Sequence, residues 1–221
     1  MIRTTPYRCL QALVAGLGLI LIANSPVLAQ SSHPMDALGS SEVARAVQLI
    51  KTAGHGDDTS RFPTVTLKEM PKQQVLAWEP GDVISRAAFV VMRHEGDTFE
   101  IEVDLTAGKV RSVRKVDGEA GVVIDEWLAA SQLTKANETW RAAVAKRGIT
   151  SLDKVFCSPL TAGRFAEADY QAKRVMKVPC YVRDPQTSHF FGRPIDGLFS
   201  VVDVEAGKVI EIIDLGVVDT P

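Results

Sequence analysis

Val103-Asp104-Leu105-Thr106-Ala107-Gly108-Lys109-Val110 and Val202-Asp203-Val204-Glu205-Ala206-Gly207-Lys208-Val209 are two copies of one pattern. Six of the eight positions are identical, at an offset of 99 residues. Each copy leads into an alternating run, 111–116 and 210–215. An acidic residue, an Ala-Gly pair, a lysine and a β-branched restart describe a hairpin turn between two strands. Gly108 and Gly207 supply the positive φ that such a turn needs. A repeat near 100 residues is too long for a solenoid unit, so it predicts two related domains.

Working outward from the first copy, residues 99–105 alternate cleanly. Phe99, Ile101, Val103 and Leu105 take one face, and Glu100, Glu102 and Asp104 a solvated one. Further strands are expected at 62–68, 74–78, 87–93 and 110–116. A helix precedes them: Val43, Ala46, Val47, Ile50 and Ala53 form one stripe, Ser40 or Ser41 can cap it, and Gly54 and Gly56 end it. Around the second copy the order repeats with variations. Helices are expected at 125–133 and 137–147, the second capped by Asn137 and stopped by Gly148. Strands follow at 154–157, 174–183, 197–204 and 208–214, with loops at 158–172 and 184–194. The fold class is therefore α+β: two domains, each an antiparallel sheet with a helix packed on one face. The boundary falls in the Gly- and acid-rich stretch 117–121, giving domains at 30–118 and 119–221.

The 221 residues carry a net charge of −2, with 46% hydrophobic, 24% charged and 6% aromatic residues. That balance excludes a disordered tail and a general nucleic-acid binder. Residues 1–29 read as a secretory signal: Arg3 and Arg8, an apolar stretch, then Val27 and Ala29 before a cleavage point. An uncleaved anchor is the alternative. Cleavage leaves 192 residues and, with two arginines gone, a charge of −4. The expected location is periplasmic or secreted, without a membrane span after cleavage. Cys9 leaves with the signal. Cys157 and Cys180 remain, and an oxidising compartment permits them a disulfide or two buried thiols.

Chemistry-bearing patterns are scarce. His33, His55, His94 and His189 form no H-x-H, H-x-x-x-H or H-E-x-x-H spacing, so imidazole metal sites lack support. Cleavage after Gln30 would expose Ser31-Ser32-His33, an amino-terminal copper-binding arrangement, but Gln30 is a poor cleavage residue. Cys157 and Cys180 have no C-x-x-C partner. Lys109 and Lys208 sit in no phosphate loop and read as solvated turn residues. Asp104 and Asp203 are placed to accept turn amide hydrogens rather than to act as a catalytic pair. Trp78, Trp127 and Trp140 lie beside apolar periodicity and read as core. No catalytic, cofactor-binding or metal residue is assigned.

A series of short stretches then resembles the two small domains that precede the catalytic domain in copper amine oxidases. His33-Pro34-Met35-Asp36-Ala37-Leu38 with Glu42 resembles the opening H-P-L-D-x-L and first helix. Lys72-Gln73-Gln74-Val75-Leu76-Ala77-Trp78 resembles the P-K-x-x-V-L-x-W strand. Residues 87–92 and 103–110 resemble the following strands and the V-D-L-x-x-x-K-V hairpin. Lys146-Arg147-Gly148-Ile149 resembles K-R-G-I. Ser158-Pro159 to Gly163 stands at D-P-W-x-A-G, with Leu160 in place of the tryptophan. Arg193-Pro194-Ile195-Asp196-Gly197-Leu198 resembles R-P-[IV]-E-G.

The resemblance implies cystatin-like α+β domains that pack outside a dimeric catalytic core. It implies copper and topaquinone only for that core, which is marked by N-Y-[DE] and H-x-H motifs missing here. The expectation is a secreted, non-catalytic subunit or remnant of a primary-amine oxidase, partnered by a catalytic chain. The alternative expectation is a periplasmic protein-binding or peptidase-inhibitory module of the propeptide type, which shares the hairpin but not K-R-G-I or R-P-I-D-G.

Overall fold

A computed structural model describes residues 33–162, 170, 173–183 and 189–217. The segment read as a signal, together with Ser31, Ser32 and Gly163, lies outside the described residues. Two antiparallel sheets follow one another along the chain.

In the first domain, helix α1 (Ser40–Thr52) is followed by β1 (Arg61–Leu67), a short helix α2 (Lys72–Ala77), β2 (Ala87–His94), β3 (Asp97–Asp104) and β4 (Lys109–Val116). The strands pair in the order β1-β2-β3-β4. Glu95 and Gly96, both at positive φ, make the two-residue turn that places His94 opposite Asp97. The apolar stripe of α1 buries Ala46 and Ile50 completely against Ala88, Val90, Met92, Ile101 and Val103. The start of α1 differs from expectation. Gly39, not a serine, is the N-cap, and its N–H donates to Glu42 Oε2 at 2.9 Å. Ser40 and Ser41 are already helical, so neither hydroxyl caps. The helix ends as its glycine requires. Gly54 at φ +78° donates to Lys51 O, and His55 N donates back to Ile50 O.

In the second domain, α3 (Ile124–Ala136) and α4 (Glu138–Lys146) precede a 3₁₀ turn (Leu152–Lys154) and β5 (Val155–Cys157). Then come β6 (Leu160–Thr161), β7 (Val175–Val182), β8 (Arg193–Asp203) and β9 (Lys208–Asp214). The sheet runs β5-β7-β8-β9, with β6 also on β7. Trp140 and Val144 of α4 and Ala130 of α3 pack on Val178, Cys180, Leu198 and Val202. Asn137 caps α4 as expected, its side chain accepting from Trp140 N at 2.9 Å. Between helix and sheet the Thr134 and Ser200 hydroxyls bond each other, so neither is left unpaired in the core.

The repeated octapeptide is a repeated structure. In both copies the aspartate faces the lysine, Asp104 with Lys109 and Asp203 with Lys208. Both hairpins also shift register just before that aspartate, at Glu102/Val103 and Val201/Val202.

Three expectations are corrected. Residues 74–78 are not a strand: 72–77 form α2. Lys72, Gln73, Gln74, Leu76 and Ala77 are good helix formers, Pro71 pre-sets the first turn, and no neighbouring strand offers hydrogen bonds there. The loop 158–172 contains β6, because β7 extends past its pairing with β5 and takes Leu160 and Thr161 opposite Lys177 and Met176. The loop 184–194 gives up Arg193 and Pro194, which pair with Val182 and Tyr181 as the start of β8.

The domains touch through specific contacts. Arg93 Nη2 at the end of β2 lies 2.7 Å from Glu205 Oε2 in the second hairpin turn. Ala120 N donates to Thr98 Oγ1 at 3.1 Å, tying the linker to the first sheet.

Candidate functional site

The most built polar feature occurs twice. In the first domain Arg86, directly before β2, is buried. Its Nε and Nη2 donate to the Glu42 carboxylate at 2.8 and 2.9 Å, and its Nη1 donates to Asp36 O at 2.7 Å. In the second, Arg174, directly before β7, is buried too. It donates to both oxygens of Glu126 at 2.6 and 3.0 Å and to the carbonyls of Ala120 and Gly121. Glu42 and Glu126 stand at the same helical position and accept the N-cap amide of their helix. Each arginine thus ties the chain entering the helix to an inner strand of its sheet.

The Arg86 fork, the Gly39 amide and the Arg86 charge hold the Glu42 carboxyl below its usual range against a smaller cost of burial. Burial pushes Glu126 up, but Arg174 and the Val123 amide outweigh it, so this carboxyl is also lowered. The sequence carried half the signal, an acid three residues past each cap. An arginine before a strand carries none. These are structural clamps, because every donor is already committed within the fold.

The predicted chemistry-bearing residues are scattered. His33 Nδ1 accepts from Met35 N, and its ring stands edge-on to Trp78 at 5.0 Å. His55 follows α1, and His189 Nδ1 accepts from Phe191 N. Asp104 accepts from Ala107 N and pairs with Arg111, which lowers its pKa. Asp203 accepts from Glu205 N and Ala206 N. Both therefore hold their turns. Trp140 is core; Trp127 and Trp78 are half-buried. Cys157 and Cys180 stand opposite each other on β5 and β7, with sulfurs joined and Cα atoms 4.0 Å apart.

One cluster has the composition of a catalytic triad. Ser60 Oγ lies 3.0 Å from His94 Nδ1, and Asp57 Oδ1 lies 3.8 Å from the same nitrogen. A relay needs the imidazole to bridge, with the carboxylate on one ring nitrogen and the nucleophile on the other. Here both oxygens approach one nitrogen, and Ser60 is buried in the turn it closes with Asp57 N. The geometry is that of a turn, not of a nucleophile. Among the described residues no three His, Cys, Asp or Glu side chains converge as metal ligands. Tyr170 bonds Glu211, and Tyr181 packs among aromatic rings. Among the described residues the donor sets do not fit copper or a tyrosine-derived quinone.

What the second domain does present is apolar surface. A groove of about 370 Å³ runs between the start of α3 and β6, lined by Val122, Ile124, Trp127, Pro159, Leu160 and Met176. Ile124 is 66% and Leu160 56% exposed. Trp127 continues from this groove to Phe156, whose ring touches Phe190 and Phe191.

Fold and surface together describe a tandem pair of helix-on-sheet domains, the second of which presents an apolar groove. Residues 33–116 match the domain profile described as copper amine oxidase, N2 domain, and residues 125–220 the N3 domain. The chain belongs to the copper amine oxidase family, as its N2–N3 pair. It is 32% identical over 207 residues to the primary amine oxidase of Arthrobacter sp. (strain P1), covering 92% of this chain and 31% of that protein. It is 32% identical over 196 residues to the primary amine oxidase of Klebsiella aerogenes, covering 86% of this chain and 26% of that one. A solved copper-containing benzylamine oxidase from Hansenula polymorpha superposes with a TM-score of 0.68 over 83% of this chain and 30% of its own. At 17% identity that likeness establishes the fold. The chain spans less than a third of the length of these curated relatives, and the family's catalytic domain is not among its 221 residues.

Proposed function

We propose that this chain is a secreted or periplasmic, non-catalytic component of a copper-dependent primary-amine oxidase, and that it packs on a catalytic domain bearing the copper and the topaquinone. The observation that supports this most is that residues 33–116 and 125–220 match the N2 and N3 domains of copper amine oxidases in order, within a 207-residue likeness to a primary amine oxidase. The exposed apolar surface of the second domain suits a docking role. Oxidation of the amine would rest entirely on the catalytic domain. This chain would contribute surface and position.

Two measurements on the exported chain test the reading. Supplied with copper and a primary amine, the purified chain releases no peroxide. Purified from its source under gentle conditions, it brings with it a polypeptide carrying N-Y-[DE] and H-x-H, and that complex does release peroxide. Peroxide from the chain alone overturns the non-catalytic reading. Absence of any such polypeptide overturns the partnership.

A further inference from the structure

The outer end of the second sheet joins four aromatic rings to three cations. Phe190 and Phe191 are 52% and 50% exposed. They are nonetheless firmly seated. The Phe156 ring lies 5.2 Å from Phe190 and 5.4 Å from Phe191, and Tyr181 meets Phe191 edge-on at 5.1 Å. Phe156 and Tyr181 are opposite each other in register, directly beside the joined Cys157 and Cys180. Gly192 lets the chain lie on β7, since a Cβ there would come within 2.1 Å of Val182 O. The aromatic platform is thus built before any partner arrives, which reduces the ordering cost of binding.

Three cations stand at this end of the sheet. Arg183 N donates to Lys154 O, its guanidinium lies 4.9 Å from the Phe190 ring, and Arg193 stands opposite Val182. Among the described residues none of these three cations pairs with a carboxylate. On the first sheet, by contrast, Lys68, Arg111, Arg114 and Lys115 each do.

We propose that Phe190 and Phe191, with Lys154, Arg183 and Arg193 around them, form a docking surface for a protein that presents an apolar side chain flanked by carboxylates. Rigid aromatics with arginines are the composition of interface centres. An anionic bilayer fits less well. Three cations supply only about 1 kcal/mol each at such a surface, below the four to eight that mark lipid-binding clusters, and the chain as a whole is repelled by it. The surface stands on its own residues and does not require the oxidase reading.

A photoreactive phenylalanine analogue at position 190 of the full exported chain, irradiated in its source cells, tests this. The same analogue at Leu76, an exposed apolar residue of the first domain, is the reference. The expected result is a protein adduct at 190, identified by mass spectrometry, and none with that protein at 76. R183E/R193E lowers the yield at least about tenfold, R193E alone lowers it in part, and raising salt from about 0.05 to about 0.5 M lowers it likewise. No adduct, a lipid adduct, or a yield indifferent to charge reversal overturns the proposal. A charge-dependent adduct with a protein lacking N-Y-[DE] and H-x-H supports this surface and counts against the oxidase reading. Copurification of an oxidase chain without an adduct at 190 overturns this surface alone.

Discussion

Arg174 donates to the carboxylates of Glu126 and Glu119 and to two carbonyls from a position that is nearly closed to solvent. Arg174→Met leaves Glu126 buried without its counter-ion and should cost about 3–5 kcal/mol, read as a fall in the urea midpoint. Arg174→Lys keeps the charge but loses the fork, and should fall between the two. The same clamps set the acid limit of stability. Glu42 and Glu126 hold carboxyls below the ordinary value of 4.5 in the fold, so the unfolded chain binds protons more readily than the native one. Their contribution is full above that ordinary value and is lost as pH falls through the lowered folded values. Urea midpoints should therefore drop below about pH 5, and Glu126→Gln should flatten that drop. Neither arginine announced this role in sequence. Arg86 lies 44 residues from Glu42, and Arg174 48 from Glu126. Only a folded sheet brings such partners together.

Helices and hairpins were more legible, because their signals are local. Asn137 ends α3 and caps α4, accepting Trp140 N. Asn137→Ala should cost about 1 kcal/mol, measured as a shift in chemical denaturation. Gly207 at φ +63° has open space around it. Gly207→Ala should thus cost about 1 kcal/mol through backbone strain alone. Helix α2 was misread as a strand, since a six-residue stretch holds too few periods to separate the two patterns. It buries no residue, and its own Leu76 is 75% exposed. Amides of 72–77 should exchange with deuterium at least about a hundredfold faster than those of the buried centre of β2, read by mass spectrometry. The aromatic platform was likewise invisible. Phe190 and Phe191 fell in a predicted loop, and only the pairing of Tyr181 with Pro194 turns that loop back onto Phe156.

Taken as one body, the chain should come apart in two steps. The Cys157–Cys180 bridge lies wholly within the second domain. The purified chain, with its bridge intact, should be two hydrogens lighter than its thiol form by mass. Reduction should weaken the second domain by about 2–4 kcal/mol and leave the first unchanged. Hydrogen exchange resolved by domain separates the two. Between the domains, Glu205 is half-exposed, so Glu205→Gln should change global stability by no more than about 1 kcal/mol. It should nevertheless widen the spread of domain orientations in small-angle scattering. The amino-acid order alone was enough for two tandem α+β domains, their repeated hairpins, the Asn137 cap and the glycine stop of α1, and the family. Each of those depends on neighbours within a few residues or on a repeated pattern. The arginine clamps, the domain contact and the ring platform needed the folded chain. Their partners are separated by tens of residues, and periodicity records which face a side chain takes but not what it meets there.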